Sequence, residues 1–310
     1  MKAIFTPKSP KGDFAAAKHS TSLPQTPPSG GRGVILILLL ALSIAIQAQE
    51  KKLVILHIND THSRIETFPE NQDAYSNKGG MVRLDNYVNK VRKETKNVLL
   101  FHCGDLVQGT PYFNWYKGFA EIAAANLMCI DAACLGNHEF DNGLESLSRM
   151  VQRAQFPFIA TNLDFSGTPM DGLTKKYHII KRNGIKIGII GLTIDPEGLV
   201  SKSNAAGVKY LDPVKSANIV AGFLKNRERC DLIICLSHLG YYPEEESVGD
   251  ITLAKKSRHI DLILGGHTHT FMPEPDRQPN VDGREVIINQ TGAYGVYFGR
   301  INITMEEAKK

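Results

Sequence analysis

The sequence predicts an α/β protein on a mixed sheet system, parallel at its centre, and three observations carry that prediction. Apolar runs of strand length recur at 53–58, 97–101, 132–135, 156–160, 232–236, 262–264 and 286–288. Several are separated by stretches with helical spacing, as at 81–93, where Met81, Leu84, Tyr87, Val88 and Val91 share one face, and at 112–127. Strands alternating with one-sided helices imply parallel crossovers. Thirdly, Asn183-Gly184 lies between apolar-rich segments at 176–182 and 186–192. That dipeptide favours a two-residue hairpin turn, so antiparallel pairing is added to the parallel centre. A further β-like run occupies 296–304, and the stretches 68–77, 193–210 and 272–284, rich in Pro, Gly, Asn or charge, read as surface loops. None resembles an interdomain linker, so one folded domain is expected.

The chain begins differently. Residues 1–33 are rich in Pro, Ser, Thr, Gly and Lys without an apolar period, a composition that does not fold alone. Arg32 then precedes an uncharged apolar run at 34–46, followed by Gln47-Ala48-Gln49-Glu50. A run this short behind a basic flank reads as a signal-peptide core with cleavage after Ala48, an uncleaved anchor being the alternative. The expected organisation is therefore a leader with signal peptide at 1–48 and a folded domain at 49–310, exported to a periplasmic or extracellular compartment. Across the full sequence, 36 Lys and Arg face 32 Asp and Glu. The leader holds Lys2, Lys8, Lys11, Lys18 and Arg32 against Asp13, so the remainder carries 31 of each sign. The apparent basicity belongs to the leader and gives no reason to expect nucleic acid or a membrane surface as partner. Five cysteines, Cys103, Cys129, Cys134, Cys230 and Cys235, lie in or beside apolar runs with no metal-type spacing. Mostly buried free thiols are expected, with a single Cys129–Cys134 bridge as the alternative.

Chemistry-bearing residues follow the apolar runs. The first run leads into Asn59-Asp60-Thr61-His62, and the second is followed by Gly104-Asp105. The third leads into Gly136-Asn137-His138-Glu139-Phe140-Asp141. Ser237-His238 closes the run at 232–236, and Gly265-Gly266-His267-Thr268-His269 closes that at 262–264. Ligands gather at the carboxyl ends of parallel strands, so these five motifs can converge. Any one of them is weak evidence, and His19, His57, His102, His178 and His259 read as core or surface residues. Together, Asp60, His62, Asp105, Asn137, His238, His267 and His269 offer mixed carboxylate, imidazole and amide ligands. Such a set suits Zn, Mn or Fe rather than an all-oxygen calcium cage, and it is too large for one tetrahedral ion. Two divalent ions about 3.5 Å apart are the economical expectation.

These motifs resemble the calcineurin-like metallophosphoesterases, and within them the 5′-nucleotidase/UDP-sugar hydrolase branch. The likeness runs from about residue 53 to 303 and includes Gly79-Gly80-Met81-x-Arg83 and Gln290-Thr291-Gly292-Ala293-Tyr294-Gly295. The resemblance implies a four-layer fold, a mixed two-sheet sandwich flanked by helices. It implies that Asp60, His62, Asp105 and His269 hold one metal while Asp105, Asn137, His238 and His267 hold the other. It further implies that His138, oriented by Asp141, acts on the phosphoryl group as transition-state stabiliser or leaving-group acid. The implied reaction is in-line attack of a metal-bridging hydroxide on a nucleoside 5′-monophosphate. Full-length members of the branch add a C-terminal domain that reads the nucleoside, whereas here only Met305–Lys310 follow the last β-like run. A separate chain of that type is an expected partner. The alternatives within the enzyme class are a broad phosphomonoesterase, a cyclic-nucleotide phosphodiesterase and a UDP-sugar pyrophosphohydrolase. Outside it stands an idle metal-binding scaffold subunit.

Overall fold

Alternation along the strands divides the molecule into layers. In the computed structural model, which describes residues 2–5, 50–71, 73–242 and 248–305, β1 is Lys2–Phe5, β2 Lys51–Ile58, β3 Val98–Cys103, β4 Ala132–Cys134 and β5 Phe158–Ile159. The chain continues through β6 (Leu163–Asp164), β7 (His178–Arg182), β8 (Ile185–Thr193), β9 (Lys209–Tyr210) and β10 (Leu232–His238). It ends with β11 (Leu262–Leu264), β12 (Asp276–Pro279), β13 (Glu285–Asn289) and β14 (Gly299–Met305). One sheet has the order β1-β14-β2-β3-β4-β5 and the other β12-β13-β11-β10-β8-β7, while β6 and β9 form a separate ribbon. In each six-stranded sheet the central pairs are parallel, β2/β3/β4/β5 in one and β8/β10/β11/β13 in the other, with antiparallel strands outside them.

The two sheets face each other. Leu53, Ile55, Leu99 and Phe101 from the first meet Ile187, Ile189, Leu232, Ile234 and Leu264 from the second in one buried cluster. Their intervening neighbours point outward, as the period of two requires. Val54, Leu56, Val98 and Leu100 pack with helices α1 (Met81–Glu94), α3 (Phe119–Leu127) and α4 (Gly143–Arg153). On the far side, Ile190, Leu192, Ile233 and Ile263 pack with α5 (Pro213–Asn226) and α6 (Asp250–Lys256). The result is the expected helix–sheet–sheet–helix sandwich. Truncating a fully buried leucine of the inter-sheet layer, such as Leu99, would cost about 2–5 kcal/mol.

Asn183 and Gly184 sit at φ 50° and 71° and join β7 to β8 in the expected hairpin. Three elements differ from the sequence expectation. The stretch at 112–127 is two helices, α2 (Pro111–Tyr116) and α3, because the chain turns left-handed at Lys117 and Gly118. A side chain at Gly118 would lie 2.4 Å from Met150 Sδ, so the turn is locked by packing. The strand at 156–160 shrinks to Phe158–Ile159, since Pro157 has no N–H to give to a ladder. Thirdly, Lys2–Phe5, within the stretch expected not to fold alone, pairs antiparallel with β14 from Lys2↔Thr304 to Phe5↔Ile301. An existing sheet edge supplies hydrogen bonds that the segment could not make by itself. The apolar run at 34–46, the Ala48 cleavage point and His19 lie outside the described residues. Among those described, no helix is long and apolar enough to cross a membrane. All five cysteines are free; four are buried and Cys129 is exposed, so the alternative bridge is not formed.

Candidate active site

The parallel strands of both sheets end at one place. Asp60 and His62 follow β2, Asp105 follows β3, Asn137 and His138 follow β4, His238 closes β10, and His267 and His269 follow β11. Residues up to 209 positions apart in sequence thus meet across the sandwich, the first three strands contributing from one sheet and the last two from the other.

The backbone here is bent out of its ordinary range. Asp60, His62, Ser63, Asp105, His267 and His269 all have positive φ, between 48° and 75°. Each such non-glycine residue costs about 1–2 kcal/mol. The bends are stitched together: Asp60 N–H donates to Gly104 O at 3.0 Å, His62 N–H to Asp105 O at 3.1 Å and Ser63 N–H to Leu106 O at 3.0 Å. Glycines permit the approach. A Cβ at Gly136 would stand 2.2 Å from Asp105 Oδ1, and one at Gly104 would stand 2.4 Å from His238 Nδ1.

Asp105 is the hub. Its Oδ2 lies 3.0 Å from His238 Nε2 and 4.0 Å from His62 Nε2, while its Oδ1 accepts from the His138 backbone N–H at 2.9 Å. Asp60 Oδ1 is 3.2 Å from His269 Nε2, 3.8 Å from His62 Nε2 and 4.0 Å from His238 Nε2. The rings of His62 and His269 meet nitrogen to nitrogen at 2.9 Å, and His267 Nδ1 lies 3.0 Å from Asn137 Oδ1. Three groups could gather an ion: Asp60 with His62 and His269, Asp105 with His238 and His267, and His62 with Asp105 and His138. His138 Nδ1 is 2.7 Å from Asp141 Oδ2 at the rim.

The donor set fits divalent cations, and His238 shows why. Its Nδ1–H donates to Cys103 O at 2.7 Å, which turns Nε2 onto Asp105. That fully buried Nε2 lies 3.0 Å from Asp105 Oδ2 without a well-aligned hydrogen bond, so the position calls for positive charge, whether a proton or a cation. The electrostatics agree. Burial opposes a charge on His238, yet the Asp105 and Asp60 carboxylates outweigh it and push its pKa up to about 10. Asp105 responds in the opposite sense: burial would raise it, but His238, His62 and His138 hold it below the usual carboxylate range. At His62 burial wins over both carboxylates and lowers the pKa. His138 is raised, first by its bond to Asp141 and then, against burial, by Asp105.

Residues 53–271 match the calcineurin-like phosphoesterase family. The chain belongs to that family. Among curated relatives, the snake venom 5′-nucleotidase of Naja atra is 33% identical over 84% of this chain and 51% of its own length. Among solved structures, the NAD nucleotidase of Haemophilus influenzae superposes with a TM-score of 0.72 at 30% identity, covering 84% of this chain and 54% of that one. The 5′-nucleotidase precursor of Thermus thermophilus gives 0.72 at 31%, covering 82% and 52%. This phosphoesterase chain therefore spans about half the length of the relatives it matches.

Two residues of the site had no assigned role in the sequence. Glu139 accepts backbone N–H bonds from Asp105 at 3.0 Å, Leu106 at 2.7 Å and Gly136, clamping the ends of β3 and β4 together. Burial, with Asp105 close by, pushes its carboxyl up to about 7. Asn59 donates to Asp60 Oδ2 and Gly292 O, both at 2.6 Å, and accepts from Thr291. Both sit inside the strand-end motifs, where a polar neighbour of a ligand is the available signal. The histidines set aside stay out of the cluster. His57 lies between the sheets, and His102 turns to Thr61 Oγ1 at 3.0 Å. His178 lies in β7 and His259 in a turn before β11.

Proposed function

We propose that the chain hydrolyses phosphate esters, most readily nucleoside 5′-monophosphates, at this strand-end site. The observation that carries the reading is the pair of ligand groups sharing the Asp105 region, with a His138–Asp141 pair at their rim. Asp60, His62, Asp105 and His269 would hold one ion, and Asp105, Asn137, His238 and His267 the other, with Zn, Mn or Fe suiting the mixed donors. When bound, two such ions supply an acidified water near neutral pH and positive charge beside phosphorus. The protein's residues do the rest. Asp105 holds the two halves together, and its Oδ1 bond to the His138 backbone fixes that residue beside them. Asp141 orients the His138 ring through Nδ1, leaving Nε2 free to face a phosphoryl oxygen or give a proton to the leaving oxygen. The apolar run at 34–46 supports an exported protein with a leader at 1–48, whose cleavage would also take β1 away and leave β14 as the edge of its sheet.

A second reading, cleavage of a phosphoanhydride, is favoured by the similarity to a NAD nucleotidase. Assays of the metal-loaded protein with AMP, UDP-glucose and bis-p-nitrophenyl phosphate, in Mn²⁺ or Zn²⁺, separate the possibilities. Turnover of AMP alone supports the monoesterase, and turnover of UDP-glucose supports the anhydride reading. A fully metallated protein that turns over none of them sinks both and leaves the scaffold subunit.

A further inference from the structure

Two cavities adjoin on the active-site face, and Arg64 lines both. One, of about 440 Å³, takes His62 and Arg64 from one loop and Gln108 and Gly109 from another, together with His138, His269 and Tyr294. The other, of about 500 Å³, begins where the first stops, with Arg64 and Glu66 on one side and Thr110, Tyr112, Trp115 and Tyr116 on the other. The second cavity thus extends the phosphoryl site along α2.

That extension has a distinctive wall. Tyr112, Trp115 and Tyr116 stand at i, i+3 and i+4 and so share one face of α2, while Phe113 turns into the core. The Tyr112 and Tyr116 rings stack at 6.3 Å. Trp115 is 81% exposed and Tyr116 54%, although both are large aromatic side chains that ordinarily bury most of their area. Across from them Glu66 accepts from Tyr112 O–H at 3.1 Å and keeps a second carboxylate oxygen for a donor. The combination of π-faces, one acceptor and a volume suited to a small molecule matches a flat ring that carries N–H groups.

We propose that this groove is a subsite for an aromatic group carried by the ester, a nucleobase in the first instance, with Trp115 and Tyr116 as its stacking surface. The inference deepens the proposed function and rests on the phosphoryl group sitting at the His62–His138 cluster. It makes this chain itself a selector of aromatic esters, whatever else contributes to the pocket.

Trp115 is the sole tryptophan of the chain, which makes it a clean optical reporter. Titration of the full, metal-loaded chain with adenosine, exciting at the red edge of indole absorption, is expected to quench Trp115 saturably. Ribose 5-phosphate, which has the phosphoester without the ring, is expected to leave it unchanged. In steady-state assays Trp115→Leu and Tyr116→Ala should each raise KM for AMP roughly tenfold at unchanged kcat. Both should leave ribose 5-phosphate kinetics as they were. No response to millimolar adenosine, an equal response to ribose 5-phosphate, or equal losses on AMP and ribose 5-phosphate overturns the proposal. If wild-type protein hydrolyses neither ester, the phosphoesterase reading falls, and the adenosine titration still decides the groove on its own.

Discussion

Strand β2 and its exit carry two histidines five positions apart, His57 between the sheets and His62 at the strand's end, in opposite settings. His57 is fully buried on extended backbone, its Nε2–H donating to Asn289 Oδ1 at 3.0 Å, and no carboxylate faces it. Burial lowers its pKa to about 4, so it stays neutral and serves packing. His62 stands on left-handed backbone with Asp60, Asp105 and His269 around it. His238 sharpens the contrast, being as buried as His57 yet pushed to about 10 by two carboxylates. Burial alone therefore does not decide what an imidazole does: at His238 the carboxylates outweigh it, and at His62 they do not. In the inter-sheet layer His57 has one polar partner, Asn289, while its Nδ1 stays unpaired, and no charge is aimed at it. The strand ends crowd acceptors together on strained backbone, an arrangement that a cation completes.

The largest effect expected from this contrast is at Asp105. Asp105→Asn removes the charge shared by both ligand groups and should lower kcat/KM on the order of 10³-fold or more. Added Mn²⁺ or Zn²⁺ should raise the Tm of the wild type but not of this variant. A variant that still gains thermal stability from metal would show that Asp105 is not the hub. Next comes His138→Gln, which should keep its metal content by elemental analysis and lose roughly 10²–10⁴-fold in kcat. Retention of near-normal kcat on an ester with a poor leaving group would remove His138 from the chemistry.

Two smaller effects probe the inter-sheet side. A Cβ at Gly299 would meet His57 Nε2 at 1.9 Å, so Gly299→Ala should destabilise the fold by about 1–3 kcal/mol. Urea unfolding measures this, and kcat per folded molecule should not change. The smallest expected effect is a pH slope. The folded pKa of His57 is about 4 against 6.5 for the ordinary group, so the unfolded state binds the extra proton between those values. Stability from this residue is complete above 6.5, is lost as pH falls toward about 4, and changes no further below that. His57→Gln should flatten the difference in unfolding free energy between pH 7 and pH 5. Equal slopes in both proteins would mean that His57 is not held neutral.

Much of this was legible along the chain because it is local. Strand alternation at 53–58, the helical face of Met81, Leu84, Val88 and Val91, and the Asn183-Gly184 turn each depend on neighbours a few residues away. The ligand candidates were legible for the same reason, since each follows an apolar run directly. Glu139 was not, because its task is to accept N–H groups from Asp105 and Leu106, more than thirty residues back. The aromatic wall was hidden as well. Read as one helix, 112–127 spreads its aromatics around a continuous face; the left-handed break at Lys117 and Gly118 cuts α2 free and leaves Trp115 outside.

The sequence by itself determined the elements, the residue types at their ends and hence the chemistry those ends can perform, because periodicity and turn preference act within a few residues. Only the tertiary structure decided which ends meet. Burial of the two inner apolar faces against each other is a long-range event, and it alone brings His238, His267 and His269 of one sheet to Asp60 and Asp105 of the other. Without that packing His238 would be an ordinary imidazole. Within it, His238 holds its Nε2 3.0 Å from a carboxylate, where a positive charge is favoured.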